Sequence, residues 1–264
     1  MRGSTEESTG GPACGGIEDH ARLRTQQIAH YRGPQTTSIR GEMMCGRFVQ
    51  YTLFPLLEKE FSLRFGAEVP LRQSYNIAPT QDVPVVVNED GNWLITCRWG
   101  LIPPWSKDAS IGSRMINARA ETLAEKPSFK GPLKKHRCLI VADGFYEWRK
   151  TDSGKVPVYI TMKDERPIGF AGLYSDWRPP EGETIRTCTI VTTEPNDIIK
   201  PIHNRMPAII KPEDRDEWLN PEEHDPHKLT PLLIPYPSEE LNAWEVSREV
   251  NSPANNEPGN IRPT

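Results

Sequence analysis

Six short runs along the chain concentrate apolar and β-branched residues: VPVVV (83–87), WLITCRW (93–99), RCLIVAD (137–143), VPVYITM (156–162), PIGFAGLY (167–174) and TIRTCTIVTT (184–193). Their lengths and residue types predict strands rather than helices. LFPLLEKEF (Leu53–Phe61) breaks that pattern, because Leu53, Leu56, Leu57 and Phe61 recur at helical spacing on roughly one face. KPEDRDEWLN (211–220) predicts a second, short helix with acids near its N-terminus, where they complement the helix dipole. Many strands with a few scattered helices predict an α+β fold, a single domain with a strongly bent, barrel-like β core and peripheral helices. The 26 prolines agree, since they favour turns and short elements over long helices. No internal repeat is visible.

The two ends of the chain lack this patterning. Residues 1–43 are rich in Gly, Ser, Thr and charge, without apolar periodicity, and are expected to be a disordered leader or an over-extended start. They contain no hydrophobic stretch of the kind a secretory signal requires. The tail 252–264, SPANNEPGNIRPT, is also expected to be disordered. The folded domain is therefore placed at 44–251.

Composition narrows the function classes only a little. The 264 residues carry a net charge of −4, so there is no global electrostatic case for nucleic acid. A local basic cleft stays open, because net charge does not report distribution. Cys14, Cys45, Cys97, Cys138 and Cys188 are odd in number, widely spaced and form no CxxC. A disulfide framework and structural zinc are poor readings, and a reducing, cytoplasmic setting fits better. No metal or cofactor pattern is present. Cys97, Cys138 and Cys188 lie in strand-like runs and read as small buried hydrophobes. No run approaches the ~18 apolar residues of a membrane helix.

The stretch GEMMCGRFVQ (41–50) is where chemistry enters. A lone Cys45 ordinarily reads as core filler. If the chain were to begin at Met44, removal of that residue would leave Cys45 with a thiol and a primary α-amine on adjacent carbons. The α-amine has a pKa of ~7.7–8.0 against ~10.4 for lysine, so about a tenth of it is neutral at pH 7. A neutral amine attacks an aldehyde to form a Schiff base. The neighbouring thiol then closes a five-membered thiazolidine, which makes the adduct long-lived.

Other polar residues stand where a core alone does not explain them. In ADGFYEW (142–148), alternation puts Phe145 and Glu147 on one strand face, with Tyr146 and Trp148 on the other. Glu147 is either an outward surface residue or a carboxylate raised in pKa by its aromatic neighbours and suited to acid work. His203, in IHNRMP (202–207), is either an ordinary loop histidine or a proton shuttle. Asn117 and Arg119 in INARAET (116–122) face the same way on an extended segment; Asn can orient a hydroxyl or carbonyl, and Arg can grip a phosphate. Trp99, Trp105 and Trp148 are core residues or platforms for an unstacked base. Arg47, Arg119 and Arg205 would make a phosphate-binding strip within an acidic protein.

Taken together, MCGRF (44–48), YNIAPTQ (75–81), WGLIPPW (99–105), INARAET, ADGFYEW, HNRMP (203–207) and VSREVN (246–251) occur in the order of the SRAP family, the SOS-response-associated peptidases. The resemblance covers roughly Met44 to Asn251, and seven such stretches in order are specific in combination. It implies a single α+β domain that binds single-stranded DNA and crosslinks covalently to abasic sites, with self-processing that exposes the nucleophile. It implies Cys45 as that nucleophile and a thiazolidine as the product. It further implies Asn117 positioning the opened sugar, Glu147 in acid–base work, His203 shuttling protons, and Arg47, Arg119 and Arg205 on phosphates. The partner so implied is single-stranded DNA with abasic sites, without a membrane or an obligate protein partner. The departure from the family is the stretch of 43 residues before Met44, which requires a start at Met44 or cleavage between Met44 and Cys45. Two other readings remain: a cysteine peptidase acting on other proteins through Cys45, Glu147 and His203, and a non-catalytic module for damaged or modified DNA.

Overall fold

A strand can be apolar at every position only if both of its faces are covered. That condition organises this molecule. The structure, a computed structural model, describes Met1 and residues 45–64 and 71–264. The expected leader (Met1 apart), Cys14 and Met44 lie outside the described residues. The described elements run β1 (Phe48–Gln50), α1 (Phe54–Glu60), β2 (Ser74–Ile77), β3 (Asp82–Asn88), β4 (Asn92–Trp99), β5 (Asn117–Arg119), α2 (Pro127–Lys135), β6 (Arg137–Ala142), β7 (Gly144–Thr151), β8 (Gly154–Met162), β9 (Ile168–Trp177), β10 (Ile185–Thr193), β11 (Met206–Pro207), α3 (Arg215–Leu219), α4 (Pro226–Leu229) and β12 (Leu241–Glu245), with short 3-10 turns between them. All six expected strands form, as do both expected helices, the second as a 3-10 turn leading into α3.

Strands β10, β4, β3, β6 and β9 pair in that order, and β9 pairs back onto β10, closing a five-stranded barrel. The barrel is mixed, because β10 and β4 run parallel while the other neighbours are antiparallel. A second sheet of five strands has the order β12-β8-β7-β1-β2. The α+β class with a barrel-like core is as the patterning predicts.

Alternation assigns each strand's side chains to two compartments. Val83, Val85, Cys97, Trp99, Cys138, Ile140, Phe170, Cys188 and Ile190 pack in one cluster with Phe48, Phe145, Ile160 and Cys45. Their neighbours Val86, Leu94, Leu139, Val141, Leu173 and Val191 pack in another with Leu57, Phe61, Leu133 and Trp218 from the helices. Cys97, Cys138 and Cys188 are free thiols in the first cluster, as small apolar filler. Helix α1 differs in part from expectation: Leu57 and Phe61 are buried, whereas Leu53 and Leu56 are 60% and 61% exposed.

The outer face of the second sheet is covered too, by the end of the chain. Tyr146 and Tyr159 pack there with Val246 and Val250, with Trp244 and Ile261 against them. The tail after 251, expected to be disordered, is folded. Trp244 Nε1 donates to Ile261 O at 2.9 Å, Thr264 N to Glu245 O at 3.1 Å, and Val246 bridges Pro263. Polar hydrogen bonds rather than apolar periodicity hold it, which is why its composition misleads.

Asp143, in the turn before β7, ties the second sheet to the chain beyond β1. Its carboxylate is buried and accepts from the backbone N–H of Tyr51, from Thr52 N (2.8 Å) and from Thr52 Oγ1 (2.5 Å). Burial raises its pKa, and these hydrogen bonds pull in the opposite direction. Removing the acceptor strands two backbone donors, at about 1–3 kcal/mol for each group left unsatisfied and buried. Asp143→Ala is therefore expected to lower stability by about 2–4 kcal/mol, read from the urea midpoint at unchanged m-value. A loss under about 0.5 kcal/mol would show that water replaces the carboxylate.

Candidate active site and nucleic-acid interface

Cys45 stands just before β1, and β1 lies between β7 and β2. The register Phe48↔Phe145 sets the start of β1 against β7. On β7 the inward face is the one bearing Phe145 and Glu147, so Glu147 is only 2% exposed. Cys45 N donates to Glu147 Oε1 at 2.7 Å across 102 residues of sequence. Burial drives the Glu147 carboxyl up to about 8, a rise only partly offset by the hydrogen bonds from Cys45 N and Trp148 N. The Cys45 thiol is also wholly buried, and burial first, then the Glu147 charge, pushes its pKa well above the ordinary range. A protonated thiol and a carboxyl that titrates near neutrality thus meet at one backbone nitrogen.

Cys45 has a φ of +29°, a left-handed value rarely adopted by a residue with a Cβ. Such a conformation costs on the order of 1–3 kcal/mol and is held only by its surroundings.

The other candidates gather around β10. Its Cys188 pairs with Trp99 on β4, and further along Ile190 pairs with Asn117 and Thr192 with Arg119 on β5. On the opposite edge, Thr192 pairs with Pro207 and Thr193 with Met206 on β11. Asn117 and the loop 203–205 that leads into β11 therefore lie on opposite edges of β10. His203 Nδ1 receives Arg205 N at 3.2 Å, and His203 N donates to Ile199 O at 2.8 Å. Ile199 belongs to the cluster that contains Cys45, and Ile202 packs against that cluster. Trp99 links the halves: its ring meets Phe48 edge-on at 5.1 Å, and its Nε1 donates to Ile116 O, beside Asn117, at 2.9 Å.

A family model for SOS response associated peptidase (SRAP) matches residues 44–253. The chain belongs to the SRAP family. It is 49% identical over 218 residues to the abasic site processing protein YoqW of Bacillus subtilis (strain 168), covering 81% of this chain and 97% of that protein. It is 34% identical to the abasic site processing protein HMCES of Gallus gallus, covering 71% of this chain and 65% of that protein. Among solved structures, a protein from Bacteroides thetaiotaomicron superposes with a TM-score of 0.76 at 29% identity, over 83% of this chain and all of that one.

Within this SRAP domain the candidate nucleic-acid contacts divide. Trp99 is fully buried and serves the core, so the expectation that it is a base platform is corrected. Its inward position on a barrel strand leaves no face for a ligand. Trp105 is 63% exposed on the loop that follows. Trp148 is half-buried, with Nε1 donating to Asn251 Oδ1 at 2.7 Å and the Arg47 guanidinium 5.9 Å from its ring centroid. Arg119 is exposed. Arg205 is held within the protein: it forks onto Glu121 at 2.5 and 2.9 Å and onto Thr192 O at 2.6 Å. The apolar patterning of the chain does not mark Glu121 or Asn76, although they sit in the stretches INARAET and YNIAPTQ. A polar residue inside a strand, as Asn76 is in SYNI, was the available signal. Among the described residues no group of three or more His, Cys, Asp or Glu is placed to hold a metal ion, and no helix is long and apolar enough to cross a membrane.

The buried carboxyl has a pH signature in the chain that retains Met44. A carboxyl of ~4.3 when unfolded and about 8 when folded keeps its proton longer in the native state. Native stability is therefore expected to fall as pH rises through that window, and to be unaffected by this group below it. In Glu147→Gln this fall should be missing, so the variant gains on the parent protein between about pH 5 and 8. Denaturation midpoints measured across that range check the sign. Parallel curves for the two proteins would rule out a raised carboxyl.

Proposed function

We propose that this chain processes abasic sites in single-stranded DNA by covalent capture on Cys45 once Met44 has been removed. The observation that carries the reading is the 2.7 Å contact between Cys45 N and Glu147 Oε1. It sets a titratable carboxyl against the nitrogen that would become the α-amine. Supporting it are the abasic-site names of the relatives and the burial that shields an imine from water.

The chemistry follows from the two groups. The neutral amine adds to the C1′ aldehyde of the opened sugar and gives a carbinolamine. Glu147, protonated near neutral pH, donates a proton to the departing hydroxyl, and water leaves as the iminium forms. The Cys45 sulfur then bonds to the iminium carbon while its proton passes to the Glu147 carboxylate. Aldehyde and aminothiol become thiazolidine and water, and Glu147 regains its starting state. A thiol held well above its ordinary pKa suits this order, because it stays protonated until the iminium is present. Asn117 would orient the opened sugar and His203 would relay protons. Arg47, Arg119 and Arg205 would meet flanking phosphates, with Trp105 and Trp148 as stacking surfaces; Arg205 must first yield part of its Glu121 fork.

Removal of Met44 by the chain itself fits the same geometry. The Cys45 sulfur attacks the Met44 carbonyl, the C–N bond breaks as Glu147 protonates the leaving nitrogen, the thiol proton passes to the Glu147 carboxylate, and water hydrolyses the thioester to free the thiol and a carboxylic acid. Cleavage also removes the carbonyl that defines the left-handed φ of Cys45, releasing that strain.

The test uses single-stranded DNA carrying one abasic site. Protein beginning at Cys45, verified by intact mass, is expected to give an SDS-resistant adduct, and none on undamaged DNA. Protein retaining Met44 should be nearly inert, since an amide nitrogen has no free lone pair. Cys45→Ser should bind DNA yet give no stable adduct, which separates capture from a purely non-covalent module. A stable adduct from protein with Met44 attached would show that the α-amine is not the nucleophile.

Phosphate contacts have their own readout. Arg47→Ala and Arg119→Ala should each flatten the slope of log affinity against log salt by about 0.7 on a single strand. Slopes equal to that of the parent protein in both folded variants would remove these residues from the DNA path.

A further inference from the structure

Arg47 lies two residues from Cys45, and its placement depends on one buried amide. Arg47 Nη1 donates to Asn76 Oδ1 at 2.6 Å and to Val250 O at 2.7 Å. The same Asn76 side chain, 1% exposed, donates through Nδ2 to Val250 O (3.2 Å), Ser252 O (2.9 Å) and Asn255 O (2.6 Å). Two N–H groups thus serve three carbonyls, one of them shared. The orientation of the amide is dictated by its neighbours: a guanidinium can only donate and a carbonyl can only accept.

The segment that supplies those carbonyls is itself secured. Tyr75 N donates to Asn256 Oδ1 at 2.6 Å, and the buried Asn260 donates from Nδ2 to Asn255 O at 2.7 Å. Part of this segment lies past residue 253, where the family match ends.

We propose that Asn76 is a positioning residue that clasps the segment 250–260 against Arg47 and so holds the guanidinium, already oriented, near the Trp148 ring. Held by Nη1, the group keeps its other amine for a ligand and loses little freedom on binding one. A carboxamide suits the task because it accepts from Arg47 and donates to the carbonyls at once. Neither Asp nor Ala does both.

For DNA this rests on the proposed function; the grip on Arg47 does not, and the experiment reads the two separately. In protein beginning at Cys45, Asn76→Ala, Arg47→Ala and the double variant are compared for the salt slope of binding to single-stranded DNA. In parallel, the Arg47 guanidinium and Trp148 indole N–H resonances are recorded without DNA. Asn256→Ala, at an exposed residue, loosens the segment without emptying a buried position. It serves as the test if Asn76→Ala fails to fold.

The expected result is a slope change of roughly 0.7 for Asn76→Ala, matching Arg47→Ala, with no further loss in the double variant. The Arg47 resonance should broaden or vanish in Asn76→Ala, and Asn256→Ala should move in the same direction. A parent-like slope in folded Asn76→Ala, or additive losses in the double variant, would overturn the proposal. If Arg47→Ala itself keeps the parent slope, the DNA role of Arg47 fails alone. An unchanged Arg47 resonance in Asn76→Ala would then overturn the positioning claim independently.

Discussion

The hydrogen bond from Cys45 N to Glu147 Oε1 is the constraint on which the rest of the structure turns. A carboxyl buried this deeply is costly unless its environment gives it a partner or a proton. Here it has both, a backbone N–H at 2.7 Å and a pKa raised to about 8 by burial. Keeping it buried needs β7 covered on its two faces, by the barrel cluster on one and by the end of the chain on the other. Keeping the nitrogen in reach needs β1 held in register with β7, which Asp143 reinforces by fastening Tyr51 and Thr52.

Barrel closure supplies the other half of the arrangement. β10 is long enough to pair with β4 and then β5 on one edge, and with β9 and then β11 on the other. Its first part closes the barrel; its last part carries Asn117 on one flank and the His203 loop on the other. Trp99, buried between Phe48 and Ile116 O, couples the start of β5 to β1. Side chains mounted on paired strands, as Asn117 and Glu147 are, are better defined than side chains on free loops.

Arg47 and Arg205 are not loose surface charge, whereas Arg119 is exposed. Arg47 is bound to an amide and a carbonyl, and Arg205 to a carboxylate and a carbonyl. An acidic chain with a net charge of −4 can still present directed donors, because the holding groups fix geometry without requiring an excess of positive charge.

The sequence by itself determined the elements and the family. Runs of β-branched and apolar residues such as RCLIVA mark strands covered on both faces, and seven motif stretches in order mark the SRAP relationship. Cys45 is picked out by its place after Met44 in the first of those stretches, which needs no coordinates. What only the tertiary structure decided was which surfaces are covered. A period of two divides Phe145 and Glu147 from Tyr146 and Trp148, but it does not say which face meets the barrel. Trp99 and Trp105 sit six residues apart in one motif, and packing alone sends one into the core and leaves the other 63% exposed. The asparagine-rich end of the chain looked disordered because it has no apolar period. Its order comes from amide and carbonyl hydrogen bonds to Asn76 and Tyr75, partners more than 170 residues away, and no local pattern of residues encodes contacts of that range.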